Sequence, residues 1–209
     1  MHTRILDTRD TNHYRDYLNA AAEALNRGDL VAFPTETVYG IGADAQNEEA
    51  VARLYAVKNR PREKEFARLI SSREEISELA DDMPPYAAVL AEEFWPGPLT
   101  IVFTGPDKKD IGVRLPRHRV AQDLIRLAGV PVVATSANLS GRPPATGASR
   151  VLEYFGGKIR IVLDGGTSEL ERPSTVVKVT RESCEILREG AISEERIMDC
   201  LGIKVEVNR

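Results

Sequence analysis

The sequence contains few of the residues on which several common classes of protein depend. Among its 209 residues are two cysteines, three histidines and one tryptophan. Two cysteines cannot supply the disulfide framework of a small secreted domain, and the scattered histidines form no pair with the spacing of zinc ligands. No stretch approaches the roughly 20 apolar residues that a membrane span needs, and the first residues lack the apolar core of a signal peptide. We therefore expect a cytoplasmic protein with no membrane contact and no metal site built from its own side chains.

The common phosphate-binding and nucleophile motifs are also missing. The sequence has no G-x-x-x-x-G-K-[ST], no G-x-G-x-x-G and no G-x-S-x-G. A nucleotide, if one binds, must be held by another arrangement. The net charge is −4, so contact with nucleic acid would require a local basic patch rather than an overall positive field.

The residues that are present predict a single domain over residues 1–209. Hydrophobic residues make up 42% and charged residues 29% of the chain, which is typical of a soluble protein with a full core. The apolar spacing predicts an amphipathic helix over residues 12–27, ended by Gly28. Asn47, Ser149 and Ser193 each have the sequence context of a helix N-cap.

Polar side chains follow two apolar strands. The strand Leu30-Val-Ala-Phe33 runs into Pro34-Thr-Glu-Thr-Val-Tyr-Gly-Ile-Gly42, and Val130-Pro-Val-Val-Ala134 runs into Thr135-Ser-Ala-Asn-Leu-Ser-Gly141. Each loop alone could be a turn that satisfies its own backbone. Two such strand ends side by side in an open α/β sheet would instead form one ligand crevice, with the glycines allowing close backbone approach. We favour the crevice.

Cations cluster in a third stretch, Lys58-Asn-Arg-Pro-Arg-Glu-Lys64. They could be the solvated end of a helix, where the dipole favours positive charge, or a phosphate clamp. Arg114 lies between Val113 and Leu115 in a strand and points to the opposite face from them, so it faces either solvent or a cavity that binds an anion. His118 is interpreted as a surface or capping residue.

Six motifs in this order are similar to those of one known family, and together they are specific although each alone is weak. The chain resembles the YrdC-like family, the threonylcarbamoyl-AMP synthases, over about residues 15 to 200. The resemblance implies an α/β fold in which a twisted, open mixed sheet flanked by helices surrounds a basic concave cavity. The motifs are Pro34-Thr-Glu-Thr-Val-Tyr-Gly40, Lys58-x-Arg60-Pro61, Phe94-Trp-Pro-Gly-Pro-Leu-Thr100, Val113-Arg-Leu-Pro116, Thr135-Ser-Ala-Asn-Leu-Ser-Gly141 and Pro173-Ser-Thr-Val176.

The resemblance also implies an activity, that of a nucleotidyltransferase. L-threonine, bicarbonate or CO₂, and ATP with Mg²⁺ would give L-threonylcarbamoyl-adenylate and pyrophosphate. The product would serve the threonylcarbamoyladenosine modification of tRNA, so the implied partners are the downstream tRNA threonylcarbamoyl-transferase machinery and, as a further candidate, tRNA or double-stranded RNA itself. Mg²⁺ would be held mainly through the phosphates.

Site roles carry over from the family motif by motif. The resemblance places Lys58 and Arg60 on the ATP phosphates as the catalytic pair, with Arg62 close enough to join them. The further residues implied are Ser136, Asn138 and Arg188 for the nucleotide, and Thr35, Arg114 and Ser174 for threonine.

One departure from the family pattern leaves alternatives open. Glu65-Phe66 stand where the family often has Pro-Leu, beside the phosphate motif. The first alternative is a module that binds double-stranded RNA or tRNA. The second is a divergent YrdC-like paralogue acting on another carbamoyl substrate, related to the hydrogenase-maturation carbamoyltransferases but without their acylphosphatase and zinc-finger segments. The expected protein is the short form of the family.

Overall fold

The protein is built on one twisted mixed sheet. The computed structural model describes residues 2–80, 83–105 and 107–203, and within them ten strands form a sheet of order β1-β8-β2-β3-β7-β4-β6-β5-β9-β10. The strands are β1 (Arg4–Asp7), β2 (Val31–Phe33), β3 (Gly40–Asp44), β4 (Ala67–Leu69), β5 (Leu99–Thr104), β6 (Asp110–Arg114), β7 (Val132–Ser136), β8 (Ile161–Asp164), β9 (Thr175–Val179) and β10 (Cys184–Arg188).

Helices cover both faces of the sheet and leave one concave region open. α1 and α4 pack on one face at the β1–β7 end, and α2 and α5 pack on the other face there. α3 and α6 pack against β5, β6 and β9. The α/β fold that the motifs imply is confirmed. The helices are α1 (Tyr14–Asn26), α2 (Glu48–Lys58), α3 (Pro85–Phe94), α4 (Arg119–Ala128), α5 (Ala148–Phe155) and α6 (Glu194–Cys200), with a 3₁₀ helix at Glu74–Glu78.

The helix ends follow local rules with one exception. Asn47 accepts a hydrogen bond from the Ala50 amide, and Ser193 accepts one from the Arg196 amide, as predicted for N-caps. The prediction that Ser149 caps α5 is wrong. Gly147 holds the N-cap position in an extended conformation, so Ser149 already lies in the first turn.

The glycines at positions 40 and 42 serve a different purpose from the one we predicted. They lie inside β3, which pairs antiparallel with β2, and neither has a positive φ. The ring of Phe33 lies over both, since a Cβ on either glycine would be 3.1 Å from a ring carbon. The glycines therefore make room for an aromatic ring on the sheet, and both that ring and Gly40 line the main cavity.

The two polar strand ends meet as expected, although they are not adjacent. β3 lies between β2 and β7 and is antiparallel to both. β2 and β7 consequently run in the same direction, and their polar loops leave the same edge of the sheet.

Candidate active site

A cavity of about 760 Å³ crosses the concave face of the sheet. Its floor follows from strand alternation, because successive side chains of a strand point to opposite faces. In β5, β6 and β9 one set of side chains lines the cavity and the other enters the core formed with α3 and α6. The cavity set is Thr100, Val102, Gly112, Arg114 and Val176, and the core set is Ile101, Phe103, Val113, Val177 and Val179.

The turn after β2 forms one wall and is held by its own hydroxyls. Thr35 Oγ1 donates to the Val38 carbonyl over 2.6 Å and lies 2.8 Å from Thr37 Oγ1. The fully buried Tyr39 fastens the turn to the end of β8, because its hydroxyl donates to the Gly166 carbonyl at 2.7 Å. Burial is also the main reason that the pKa of Tyr39 lies above its ordinary value. These hydrogen bonds hold the turn in place as one wall of the cavity.

Arg114 reaches from β6 to this turn. Its Nη2 donates to Thr37 Oγ1 at 2.9 Å, and its Nε donates to the Gly97 carbonyl at 3.2 Å. Nη2 also lies 2.9 Å from a carboxylate oxygen of Glu36. Arg114 is 8% exposed and lines the cavity, so of the two orientations that the strand pattern leaves open, the side chain takes the one that faces a cavity.

Ser174 and Arg188 form the opposite wall. Ser174 Oγ lies 3.0 Å from Thr100 Oγ1. Arg188 Nη2 donates to the Ser174 carbonyl at 2.8 Å. Burial lowers the pKa of Arg188, and the nearby charges of Arg114 and Arg60 lower it further. Arg188 thus lies within electrostatic range of two other guanidinium groups, so positive charge is concentrated on this part of the cavity.

Arg60 holds the loop that follows α2. Its Nε donates to the Lys64 carbonyl at 2.7 Å and its Nη2 donates to the Glu65 carbonyl at 2.9 Å. The guanidinium lies 5.2 Å from the centre of the Phe66 ring, and burial lowers its pKa. In the part of the chain that is described, neither Arg60 nor Arg188 has an acidic partner on the cavity.

Lys58 lies behind the cavity wall. Its side chain is 1% exposed, and Nζ donates to the carbonyls of Ser136 at 2.5 Å and Asn138 at 2.6 Å. Burial, followed by the charge of Arg60, lowers the pKa of Lys58 to about 7. The lysine therefore supports the loop after β7 from behind the cavity wall.

The structure brings most of the predicted site residues together. Those that line the cavity are Thr35, Arg60, Arg114, Ser136, Ser174 and Arg188.

Three other predicted site residues do not line the cavity. Lys58 and Asn138 form its supporting layer, where Ser136 Oγ donates to Asn138 Oδ1 at 2.6 Å. Arg62 is exposed, with its guanidinium 5.8 Å from the centre of the Tyr55 ring.

Sequence reasoning gave no role to several residues of the site. Thr100 and Val102 line the cavity. The alternation of side chains along β5 places both on the same face of the strand, and Thr100 lies beside Ser174, which directly precedes β9. Glu36 was noted only as a motif residue. His118 is the N-cap residue of α4 but makes no capping hydrogen bond. It is half-buried rather than fully on the surface, and burial lowers its pKa.

Two features are absent from the described residues. Among the described helices, none combines the length and apolar character that crossing a bilayer requires. Within the same residues, no three acidic, histidine or cysteine side chains lie close enough together to hold a metal ion.

Comparison with known proteins identifies relatives over most of the chain. The profile of a family named Sua5_yciO_yrdC, with the description "Telomere recombination", matches residues 23–190. A threonylcarbamoyl-AMP synthase of Pyrococcus abyssi is 40% identical over 194 residues, which cover 88% of this chain and 57% of the relative. One of Vibrio parahaemolyticus is 32% identical over 186 residues, covering 84% of this chain and all of the relative.

A solved structure agrees with the sequence comparison. The crystal structure of P. abyssi Sua5 complexed with L-threonine superposes with a TM-score of 0.88 at 37% identity, over 97% of this chain and 61% of that one. This chain thus spans a little over half the length of the archaeal relative and the full length of the Vibrio one.

Proposed function

Since the chain belongs to the Sua5, YciO and YrdC family, we propose that it is an L-threonylcarbamoyladenylate synthase. It joins L-threonine, bicarbonate or CO₂, and ATP into L-threonylcarbamoyl-adenylate and releases pyrophosphate. The observation that carries this proposal is the convergence of Arg60, Arg114 and Arg188 on one cavity lined with hydroxyls. Such a cavity suits two anionic substrates that must react with each other.

The amino-acid half of the cavity is assigned to Thr35, Arg114 and Ser174. Nη1 of Arg114 makes no hydrogen bond within the described residues, and it is available to the carboxylate of threonine. The hydroxyls of Thr35 and Ser174 lie in the walls on either side. They supply compact donors and acceptors for the side chain and the carbamate of the substrate.

The nucleotide half is assigned to Arg60, Ser136 and Arg188. Arg60 is half-buried and Arg188 is exposed at the rim of the cavity. Neither has an acidic ion-pair partner within the described residues, so both are available to a polyphosphate. Lys58 and Asn138 shape this half from behind the wall. Arg62 would reach the phosphates only by leaving the Tyr55 ring.

The chemistry needs no nucleophile from the protein. The amine of threonine captures CO₂ as a carbamate, a carbamate oxygen attacks the α-phosphorus of ATP, and pyrophosphate leaves. Positioning the two substrates and stabilising the negative charge that develops are the main contributions that the cavity can make. Mg²⁺, entering with the triphosphate, would neutralise part of that charge.

The product implies a partner downstream. A mixed anhydride of a carbamate and AMP is labile in water, so an acyl-transfer enzyme must consume it promptly. In the proposed function that enzyme transfers the threonylcarbamoyl group to an adenosine of tRNA in the cytoplasm.

The test is pyrophosphate release from ATP and Mg²⁺. We expect release only when L-threonine and bicarbonate are both present, and weaker release with L-serine, since one methyl group is worth about 10- to 200-fold in such a pocket. Absence of threonine-dependent release from folded protein would overturn the proposal. RNA binding, or activity on another carbamoyl substrate, would then be examined.

A further inference from the structure

Glu36 is a buried carboxylate with unusually few partners. Its side chain is 1% exposed, and neither carboxylate oxygen makes a hydrogen bond within the described part of the chain. Its contact with Arg114 Nη2, at 2.9 Å, is an ion pair whose alignment is not that of a hydrogen bond. A buried charge held by one cation and nothing else is costly to maintain, which points to a purpose beyond stability.

The position of Glu36 separates it from the substrates. Thr35 and Thr37 on either side of it line the cavity, whereas Glu36 does not. It meets Arg114 from behind, and its charge also acts on His118, which lies outside the main cavity. Arg114 is therefore the side chain through which Glu36 is connected to the cavity.

Arg114 is the one cavity arginine that is paired with a carboxylate within the described residues. Arg114 has Glu36 beside it, so the pair has no net charge. Arg60 and Arg188 have no acidic partner of this kind. The amino-acid half of the cavity thus offers directed N–H donors from an ion-paired arginine, and the nucleotide half offers two arginines that are not ion-paired within the described residues. Glu63, Glu65 and Asp110 also line the cavity, but the printed partner of Asp110 is Lys178, and neither glutamate pairs with Arg60 or Arg188 among the described residues.

We propose that Glu36 is a specificity-determining residue that keeps phosphate groups out of the amino-acid half of the cavity. The carboxylate of the amino-acid substrate needs hydrogen-bond donors in suitable positions, and Arg114 still provides them when it is paired with Glu36. Pyrophosphate carries several negative charges, and its attraction scales with the net charge of the site. Neutralising Arg114 therefore directs the polyphosphate to Arg60 and Arg188 and leaves the other half for threonine.

The inference rests on the proposed function for the identity of the amino acid, and its first measurement, pyrophosphate binding, is made without threonine. The number of pyrophosphate sites is measured by calorimetric titration of the purified chain. The wild-type chain is expected to bind one pyrophosphate. The variant Glu36→Gln, which has the same shape without the charge, is expected to bind a second, or to bind pyrophosphate at Arg114 at least roughly tenfold more tightly.

Two further variants make the result specific. The double variant Glu36→Gln/Arg114→Met removes both charges of the ion pair. The additional pyrophosphate site expected in Glu36→Gln should therefore be absent from it. This double variant also replaces a buried ion pair by neutral side chains, which proteins commonly tolerate. Glu169→Gln removes an exposed carboxylate that pairs with Arg117 and should leave the titration unchanged.

The outcomes separate the two proposals. A folded Glu36→Gln variant that binds pyrophosphate with wild-type number and affinity would overturn the role of Glu36, as would an added site that persists in the double variant. Failure of the wild-type chain to bind threonine would overturn the proposed function and leave the pyrophosphate result standing. Competition between threonine and pyrophosphate in Glu36→Gln, but not in the wild type, would support both.

Discussion

Arg114 is the residue on which the amino-acid half of the cavity depends. We expect Arg114→Ala to weaken threonine binding by about 10- to 100-fold, because a charge-assisted hydrogen bond contributes about 1.5–3 kcal/mol. ATP binding should change much less, since Arg60 and Arg188 remain in place. Isothermal titration with each substrate separately checks the expectation.

The control for Arg114→Ala is Arg117→Ala. Arg117 is three residues further along, is exposed and pairs with Glu169, so its removal should not alter either affinity. Because Arg114→Ala leaves Glu36 buried without its cation, thermal unfolding must accompany the titration. Normal threonine affinity in a folded Arg114→Ala protein would show that the carboxylate binds elsewhere.

Lys58 should give ATP binding a distinctive pH dependence. The pKa of Lys58 is lowered to about 7 by burial, so the amine is charged below that pH and neutral above it. A neutral amine can still donate to the carbonyls of Ser136 and Asn138, but its attraction for phosphate is gone. The contribution of Lys58 to ATP affinity is therefore expected to be largest below pH 7 and to fall as the pH rises above it.

The comparison that isolates this effect uses Lys58→Met. The ratio of wild-type to variant affinity for ATP, measured from pH 5.5 to 8.5 without threonine and bicarbonate, cancels the titration of ATP itself. The ratio should remain above one at high pH because the carbonyls are still bonded in the wild type. A ratio that does not vary with pH would show that the charge of Lys58 does not reach the phosphates.

At the scale of elements, the β2–β3 hairpin depends on its glycines for packing. A Cβ at Gly42 would lie 3.1 Å from the Phe33 ring and 3.2 Å from the backbone oxygen of Val133. The ring and the neighbouring strand would have to shift, so Gly42→Ala is expected to destabilise the fold by about 1–3 kcal/mol. The loss is measured by denaturant unfolding.

Gly112→Ala is the matched control in the same sheet. Its new Cβ would meet no atom closer than 3.6 Å, which is ordinary van der Waals contact. The control should therefore lose much less stability than Gly42→Ala. Strands disfavour glycine, so propensity alone would stabilise both variants. Equal changes in the two variants would therefore show that the Phe33 contact does not govern the stability of the hairpin.

The hairpin also shows what the sequence could and could not predict about elements. β2 and β7 are predictable because apolar runs ended by proline or turn residues are local signals. β3 was missed, since its two glycines lower strand propensity and only the distant ring of Phe33 explains them. The wrong N-cap prediction for Ser149 has a similar origin. Gly147 and Ser149 are close in sequence and both suit a helix start, and the sequence pattern does not decide between them.

The same limit applies to the candidate site. Motifs indicated the residues of the cavity wall because they are contiguous in sequence. The placement of Lys58 behind the wall depends on a contact with carbonyls about eighty residues away, and no local pattern encodes that contact. Glu36 remained without a role for the same reason, since its importance lies in its pairing with Arg114.

At the scale of the whole molecule, charge favours a small anion over a nucleic acid. The net charge of −4 produces an overall field that repels polyanions, while the positive groups converge inside one concave cavity. A long RNA would meet the repulsive exterior, whereas a nucleotide enters the cavity. This balance is the reason that the enzyme and not the RNA-binding module is proposed.

The cavity joins parts of the sheet that are far apart. Thr35 follows β2, near one end of the strand order, and Arg188 ends β10 at the other. Ligands that fill the cavity contact both parts, so we expect them to stabilise both together. With either ligand alone at about 100 times its Kd, amides that exchange only from ligand-free protein should slow by up to about 100-fold, and with both ligands the two factors multiply.

Hydrogen–deuterium exchange in the absence of bicarbonate, so that no product forms, measures this coupling. Slowing is expected both in the turn after β2 and in β9 and β10, whereas β1 at the sheet edge lies outside the cavity and serves as the internal control. Threonine alone should protect the turn and β9, and ATP should extend protection to β10 and the loop that Arg60 holds. If the two ligands together protect only one of these regions, the substrates do not share the cavity, and the division of its two halves would have to be abandoned.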